Sequence, residues 1–281
     1  MRCFKLIKYD LKQGILKNRL YLLVPLSTVI ICNQCRLHLA AWDQSGTWAI
    51  YLAYCFRGLQ RISRQTLSGG FQIPVFWVLM LVLPLTVTLD YPFRDIKTIG
   101  PQMLVRSGRR VTWWLSKCFW NLCSTIVYFA LVLFSVAVFC FCLKVPISME
   151  TPMGSMMALF SEADITEAAG EITAGQVLFV FIIIPFSAVA ALNMEEMLFS
   201  LIFRPIYGFL FSVALVTAAS YVTSPFLIGN YANVTRCDAF IDNGLNSQSG
   251  LLICIGVLFV SIAAGALIFR SRDILLDYKE L

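Results

Sequence analysis

The sequence predicts an all-α membrane protein built as a bundle of six transmembrane helices. Three observations predict it. The 281-residue chain is 59% hydrophobic and only 14% charged, with a mean hydropathy of +0.77, well above the apolar share of an ordinary soluble domain. Six apolar runs approach the roughly 20 residues that a helix needs to cross about 30 Å of hydrocarbon. The basic residues gather on one side of those runs, as cytoplasmic segments do. The whole chain, residues 1–281, reads as a single transmembrane domain.

Residues 1–19 come first. Phe4, Ile7, Leu11 and Ile15 make one stripe with Lys5, Lys8 and Lys12 beside it, the pattern of an interfacial helix on the inner leaflet. The first span covers about 20–39. Basic residues precede its short apolar core, as in a signal peptide, but no small-x-small cleavage site follows. The core leads instead into Cys32, Asn33, Gln34, Cys35 and Arg36. Uninterrupted apolarity ends near Cys32, so the polar outer half is expected to face the bundle interior or a water-filled path rather than lipid. Asn33, Gln34 and Arg36 are therefore candidates for a translocation path. Arg36 lies about 24 Å beyond Leu20 at the helical rise, close enough to the far surface to snorkel.

From Trp48 to Ile62 the chain is apolar, yet a crossing here would carry Arg57 and Arg61 at roughly 2.5 to 3.5 kcal/mol each. Trp48, Tyr51, Leu52, Cys55, Leu59 and Ile62 share one stripe, with Arg57, Arg61 and Arg64 opposite. An interfacial helix on the outer surface fits this pattern, and a loop helix packed on the bundle fits it equally. The remaining spans are expected at about 71–89, 119–143, 177–194, 205–222 and 251–269. Pro25, Pro84, Pro185 and Pro205, in or beside spans, offer kinks that neighbouring helices can accommodate.

Charge sets the orientation. With both termini inside, sixteen Lys and Arg are cytoplasmic against six outside, as the positive-inside rule requires. The segment from Lys144 to Gly175 holds Glu150, Glu162, Asp164, Glu167 and Glu171 against a single Lys, and reads as external. The expected location is a plasma membrane, bacterial, crossed several times.

The missing chemistry is informative. No G-x-x-x-x-G-K-[ST] loop occurs, nor any Gly-Lys dipeptide, so this chain has no P-loop for a nucleotide. Its one histidine, His38, excludes paired-histidine metal and haem sites and most histidine-based catalysis. Neither catalytic, cofactor nor metal residues are predicted. Cys32-x-x-Cys35 has redox or zinc spacing but no second pair, and reads as small apolar filler. Cys55 and Cys237 could pair if the outside is oxidising. Glu195-Glu196 is similar to the E-E-x-x-x-R of an intramembrane protease family, but Ser200 occupies the Arg position. The pair reads instead as a solvated acidic turn between the fourth and fifth spans. Asn233-Val-Thr235 has the form of a glycosylation sequon. Mid-bilayer positions carry essentially no charge, which disfavours an ion-coupled carrier.

The most distinctive segment is Tyr91 to Lys117, which carries Arg94, Lys97, Arg106, Arg109, Arg110 and Lys117 between two apolar runs and ends in Trp113 and Trp114 before the next span. Within it, RSGRRVTWWLSKCFWN resembles the cytoplasmic loop of ABC-2-type permeases, the membrane subunits of a class of ATP-driven exporters. SPFLIGNY at Ser224 to Tyr231 resembles their last external loop. The resemblance implies an ABC-2 exporter bundle with an N-terminal elbow helix and a cytoplasmic coupling segment. It also implies ATP-driven export of an amphiphile such as an antimicrobial peptide or drug. The partners it implies are two copies of an ABC ATPase that bind ATP and Mg, a second permease, identical or homologous, and membrane lipid, with no nucleic acid. The coupling residues would be Arg94, Asp95, Ile99, Met103, Arg106, Arg109 and Arg110, with Ile96 and Leu104 extending the apolar face and Glu195 and Glu196 a minor contact. The same loop could simply lie against anionic lipid. A six-span membrane enzyme and a membrane anchor for a complex are the other readings that the sequence leaves open.

Overall fold

The length of each apolar run sets the length of its helix. The computed structural model describes residues 2–59, 73–89, 91–97, 110–160, 172–241 and 244–271. Among them the chain is mainly helical, joined by turns and irregular segments, and the one β feature is an isolated bridge between Cys237 and Leu245.

Helix α1, Arg2–Leu11, runs into a π turn, Lys12–Leu16. Gly14 is required there, because a Cβ would lie 2.2 Å from Trp120 Nε1. Asn18 then redirects the chain. Its Oδ1 accepts from the Leu20 amide at 3.0 Å and its Nδ2 donates to the Val87 carbonyl at 3.0 Å, which fastens the start of the first span to the end of the second. Helix α2, Leu23–Ala41, follows, with Pro25 in its first turn, where a missing N–H costs little. Then come α3, Trp48–Cys55, α4, Val75–Thr88, α5, Tyr91–Lys97, and α6, Arg110–Cys142. Helix α7 is Met153–Phe160 and α8 is Ala174–Ile202. A π turn, Phe179–Ile183, widens α8 just before Pro185, whose ring would otherwise crowd the preceding turn. Helices α9, Pro205–Tyr221, and α10, Ser247–Ser271, complete the described chain.

Among the described residues, five helical runs are long and apolar enough to cross a membrane: Arg19–Ala41, Val75–Asp95, Val111–Cys142, Ala174–Ile202 and Ser247–Arg270. The protein is therefore a helical chain suited to several membrane passes. The run expected at 205–222 does form a helix, but α9 has 17 residues, about 25 Å at the helical rise and short of a full hydrocarbon core. Two other helices extend furthest past their predicted spans. At 33 residues, α6 is about 50 Å long, so one end must project well beyond the membrane. Helix α8 continues to Ile202 because Met197, Leu198, Phe199, Leu201 and Ile202 extend the apolar run past the glutamates.

Helix α6 lies at the centre, packed on α1, α2, α8 and α10. Its Tyr128, Phe129, Val132 and Val136 join the main core with Trp77, Phe181 and Ala188. Polar groups zip α6 to α8: Asn121 Nδ2 donates to the Asn193 carbonyl at 3.1 Å, and Asn193 Nδ2 donates to Thr125 Oγ1 at 3.0 Å. In an apolar surround each such bond prevents an unsatisfied donor. A second, smaller core at the end that carries α1 joins Leu6, Trp113, Trp114, Met194, Met197 and Phe269. That end is called the basic end below.

Helix α3 departs from the lipid-surface reading. Ala49 through Cys55 are all buried, so this is the helix packed on the bundle; the rest of the expected stripe beyond Leu59 lies outside the described residues. His38 is held close by, its Nε2 2.9 Å from the Ala158 carbonyl.

At the opposite end, residues 222–241 and 244–246 fold around Arg236. Its guanidinium donates to the Leu59 carbonyl at 3.0 Å, the Ala219 carbonyl at 2.6 Å, the Ser220 carbonyl at 2.7 Å and the Asn230 side-chain oxygen. Two of these are orphan carbonyls at the C-terminus of α9, where the helix dipole also favours a cation. Burial lowers the Arg236 pKa to about 10, so it stays protonated at neutral pH. The Asn233 sequon is structural rather than a free acceptor: its Nδ2 donates to the Leu59 carbonyl at 2.8 Å while its Oδ1 accepts from the Gly58 amide at 2.9 Å. Cys55 and Cys237 are both free, and burial pushes the Cys237 thiol up to about 12, which keeps it protonated and unreactive.

Two outcomes test this end of the fold. Arg236→Gln should lower the melting temperature of the detergent-purified protein, with a loss on the order of 2 to 4 kcal/mol as several buried carbonyls lose their donor; an unchanged melt would contradict the cap. Expression in a glycosylating host should leave Asn233 bare, since its amide is buried and bonded; a glycosidase-sensitive mass shift that disappears in Thr235→Ala would contradict the packing.

Candidate functional site

The basic end contains a buried group of charges. Lys117, on α6, places Nζ 2.5 Å from Asp10 Oδ1 and 2.7 Å from Asp95 Oδ2. All three residues are buried. Asp10 comes from α1, Asp95 from α5 and Lys117 from the second turn of α6, so one ammonium joins three separate segments.

The remaining hydrogen-bonding capacity is also used. Asp10 accepts from the Tyr91 hydroxyl at 2.8 Å and from Ser116 Oγ at 2.5 Å. Asp95 accepts from Trp113 Nε1 at 3.1 Å. The Lys117 ammonium lies over two aromatic faces, 4.7 Å from the Tyr91 ring centre and 5.1 Å from that of Trp113, a favourable arrangement away from water. Helical spacing explains why α6 supplies three of these partners: Trp113, Ser116 and Lys117 stand at i, i+3 and i+4 and share one face.

Its neighbours fix that face. Trp113 stacks on Phe269 with ring centres 4.9 Å apart. Trp114 donates Nε1 to the Ile262 carbonyl at 2.9 Å and fills the space over Gly265, where a Cβ would come within 2.1 Å of its ring. Thus the last turns of α10 are bound to the same α6 segment. The double Trp is buried inside the protein.

The expected site residues divide into groups. Asp95 belongs to the charge cluster rather than to an exposed contact surface. Arg94 stands next to it and is exposed. Arg110 begins α6, and Ile96 lies within α5. Ile99, Met103, Leu104, Arg106 and Arg109 lie outside the described residues. Both flanks of the basic loop are therefore described and both are fastened to α1.

Glu195 and Glu196 correct the acidic-turn reading. They lie inside α8, not in a turn, because the apolar run continues beyond them. Glu196 is buried, and its Oε1 accepts from Ser200 Oγ at 3.2 Å. Together with Thr88, Phe93, Trp113 and Trp114 it lines a cavity of about 10 Å³, enough for about one water molecule.

Asn33 and Gln34 do not enter the interior of this bundle. Helix α2 packs through Val24, Thr28, Ile31, Cys32, Cys35 and Leu39, and Asn33, Gln34 and Arg36 are exposed. The physical reason is periodicity: the small and apolar residues at i, i+4, i+7 and i+11 from Val24 claim the packed face and turn Asn33 outward. Asn33 lies about 21 Å along the run that begins at Arg19, deep within a membrane-spanning length. Cys32 and Cys35 are free and buried. Among the described residues no group of three His, Cys, Asp or Glu side chains could hold a metal ion.

Sequence reasoning missed the charge cluster. Two signals were available: Asp10 is the one acidic residue in the basic first nineteen, and Lys117 interrupts the apolar string WWLSKCFW. Comparison with protein-family models, curated protein sequences and solved structures finds no match to this chain.

Lys117→Met should destabilise the purified protein by roughly 3 to 5 kcal/mol, since it leaves two carboxylates buried without their cation. Adding Asp10→Asn and Asp95→Asn to that variant should restore part of the melting temperature. Equal melts for the single and triple variants would contradict a charge-based clamp.

Proposed function

We propose that this chain is the permease subunit of an ABC-2-type exporter, driven by a separate ATPase that binds ATP and Mg. In this reading α9 is the sixth pass, both termini are cytoplasmic, and α1 is the elbow helix at the inner face. Two bundles, identical or homologous, enclose the path for an amphiphilic cargo such as an antimicrobial peptide or drug.

The observation that carries the reading is the clamp of Asp10, Lys117 and Asp95. It makes α1 and both flanks of the basic loop one mechanical unit. A partner that grips the loop, through Arg106, Arg109 and Arg110 with Ile99 and Met103 beside them, would displace α5 and α6 together rather than bend one flank. The exposed polar face of α2 supports the two-bundle part of the proposal. Asn33 and Gln34 form no side-chain hydrogen bond among the described residues, and facing hydrocarbon would cost several kcal/mol for each unsatisfied group. A water-filled path between two bundles removes that penalty.

Affinity purification of the full-length protein from its own membranes should bring down a P-loop ATPase. Arg109→Glu with Arg110→Glu should release that ATPase and abolish coupled hydrolysis while membrane insertion is unchanged. Full retention of ATPase and hydrolysis would remove these arginines from coupling and favour attraction to anionic lipid. Topology has its own test in a cysteine-free background: a cysteine at the exposed Glu150 position should react with an impermeant thiol reagent in intact cells. Reaction only after permeabilisation would reverse the orientation. Cysteines at Gln34 should cross-link between copies, or to a homologous permease, with a short bifunctional reagent; labelling by a lipid-phase probe without any cross-link would contradict a facing bundle.

A further inference from the structure

A recess of about 240 Å³ opens beside the charge clamp, between the turn that leads into the first span and the junction of α4 with α5. Lys17, Arg19 and Arg94 line it, together with Asn18, Thr86 and Tyr91. Three cations line this recess, and among the described residues no carboxylate contributes to its lining. Its geometry is set by bonds already described. Asn18 joins the turn to the end of α4, and the Tyr91 hydroxyl is held by Asp10, so two walls of the recess are fixed before any ligand enters.

The surroundings are as informative as the lining. Leu16 is 81% exposed and Leu22 71% exposed, and Leu23 and Leu26 continue the exposed apolar surface along α2. A bound molecule would thus meet positive charge in the recess and an apolar strip leading away from it along a membrane-spanning helix. Those two chemistries belong to one amphiphile with an anionic head. The recess also lies at the first residue of the span, Arg19, which is the depth of a phosphate headgroup.

We propose that this recess binds the phosphate of an anionic phospholipid, with Lys17, Arg19 and Arg94 on the headgroup and the acyl chain along Leu22, Leu23 and Leu26. The bound lipid would contact Tyr91 and Arg94, the immediate neighbours of Asp10 and Asp95, so the clamp is assembled against it. The proposal does not rest on the transport reading and holds for any membrane protein with this surface. A free phosphate ion shares the head chemistry but makes no use of the leucine strip.

The test uses full-length protein, delipidated in mild detergent and titrated with phosphatidylglycerol or phosphatidylcholine in mixed micelles, with occupancy read by native mass spectrometry. Phosphatidylglycerol should be retained in preference to phosphatidylcholine. Replacing Lys17, Arg19 and Arg94 together by Gln should weaken it by on the order of a hundredfold, given about fivefold for each surface cation. Arg270→Gln, an exposed cation away from the recess, should leave binding unchanged. If the triple variant does not purify as a folded protein, Lys17→Gln and Arg19→Gln are compared singly, and each should lose about fivefold. Equal retention of the two lipids, or variants that bind as the parent does, would overturn the site. Displacement of phosphatidylglycerol by excess inorganic phosphate would identify a soluble-anion site and overturn the lipid as its occupant.

Discussion

One ammonium group holds together the end of the bundle where the chain departs most from simple apolar packing. Lys117 is buried between Asp10 and Asp95, and taking such groups out of water costs several kcal/mol per ion. That cost is offset only if each oxygen and proton finds a partner. Tyr91, Ser116 and Trp113 provide those partners, and two aromatic faces cover the cation. Such an arrangement adds little net stability relative to a well-packed apolar core. What it adds is geometry, because α1, α5 and α6 can satisfy one another only in this register. The stacked Trp113 and Phe269 extend the same register to α10.

Apolar surroundings impose a second constraint, that polar groups find partners within the protein. At the opposite end Arg236 meets it by capping the C-terminus of α9 and reaching the Leu59 carbonyl. Between α6 and α8 the amide nitrogens of Asn121 and Asn193 meet it locally, while their side-chain oxygens are buried without a partner among the described residues. Helix α2 is an exception of another kind, with Asn33 and Gln34 on its exposed face. Reading that exception as an unfilled interface connects the first span to the proposed two-bundle assembly, while the clamp connects the basic loop to the helices that such an assembly would have to move.

Much of this architecture was legible in the sequence because membrane-spanning helices are coded locally, in runs of roughly 20 apolar residues. The first span and the long α6 are in this class. Helix α9 fell short because Val222 and the residues after it are drawn into the loop around Arg236, a tertiary choice that hydropathy does not encode. Glu195 and Glu196 were assigned to a solvated turn because charge usually ends a span, whereas Ser200 and the surrounding aromatic residues accommodate Glu196 within α8. The clamp was the least legible feature. Asp10, Asp95 and Lys117 are far apart in sequence, and an amphipathic pattern in residues 1–19 predicts a surface helix without revealing that its one carboxylate points inward. For the polar half of α2 the sequence leaves the bundle interior and a water-filled path both open, and the packing of this bundle excludes the first: a polar residue in a span signals a partner but not which side of the bundle supplies it.

The central claim is that Lys117, with Asp10 and Asp95 around it, organises the coupling of the N-terminal helix to both flanks of the basic loop. Hydrogen exchange on the full-length protein in lipid nanodiscs, compared between the parent and Lys117→Met, tests it most directly. The account predicts that amides of residues 2–11 and 91–97 lose protection together in the variant while residues 23–41 keep theirs. Loss confined to residues near position 117, or unchanged protection in both segments, would contradict it.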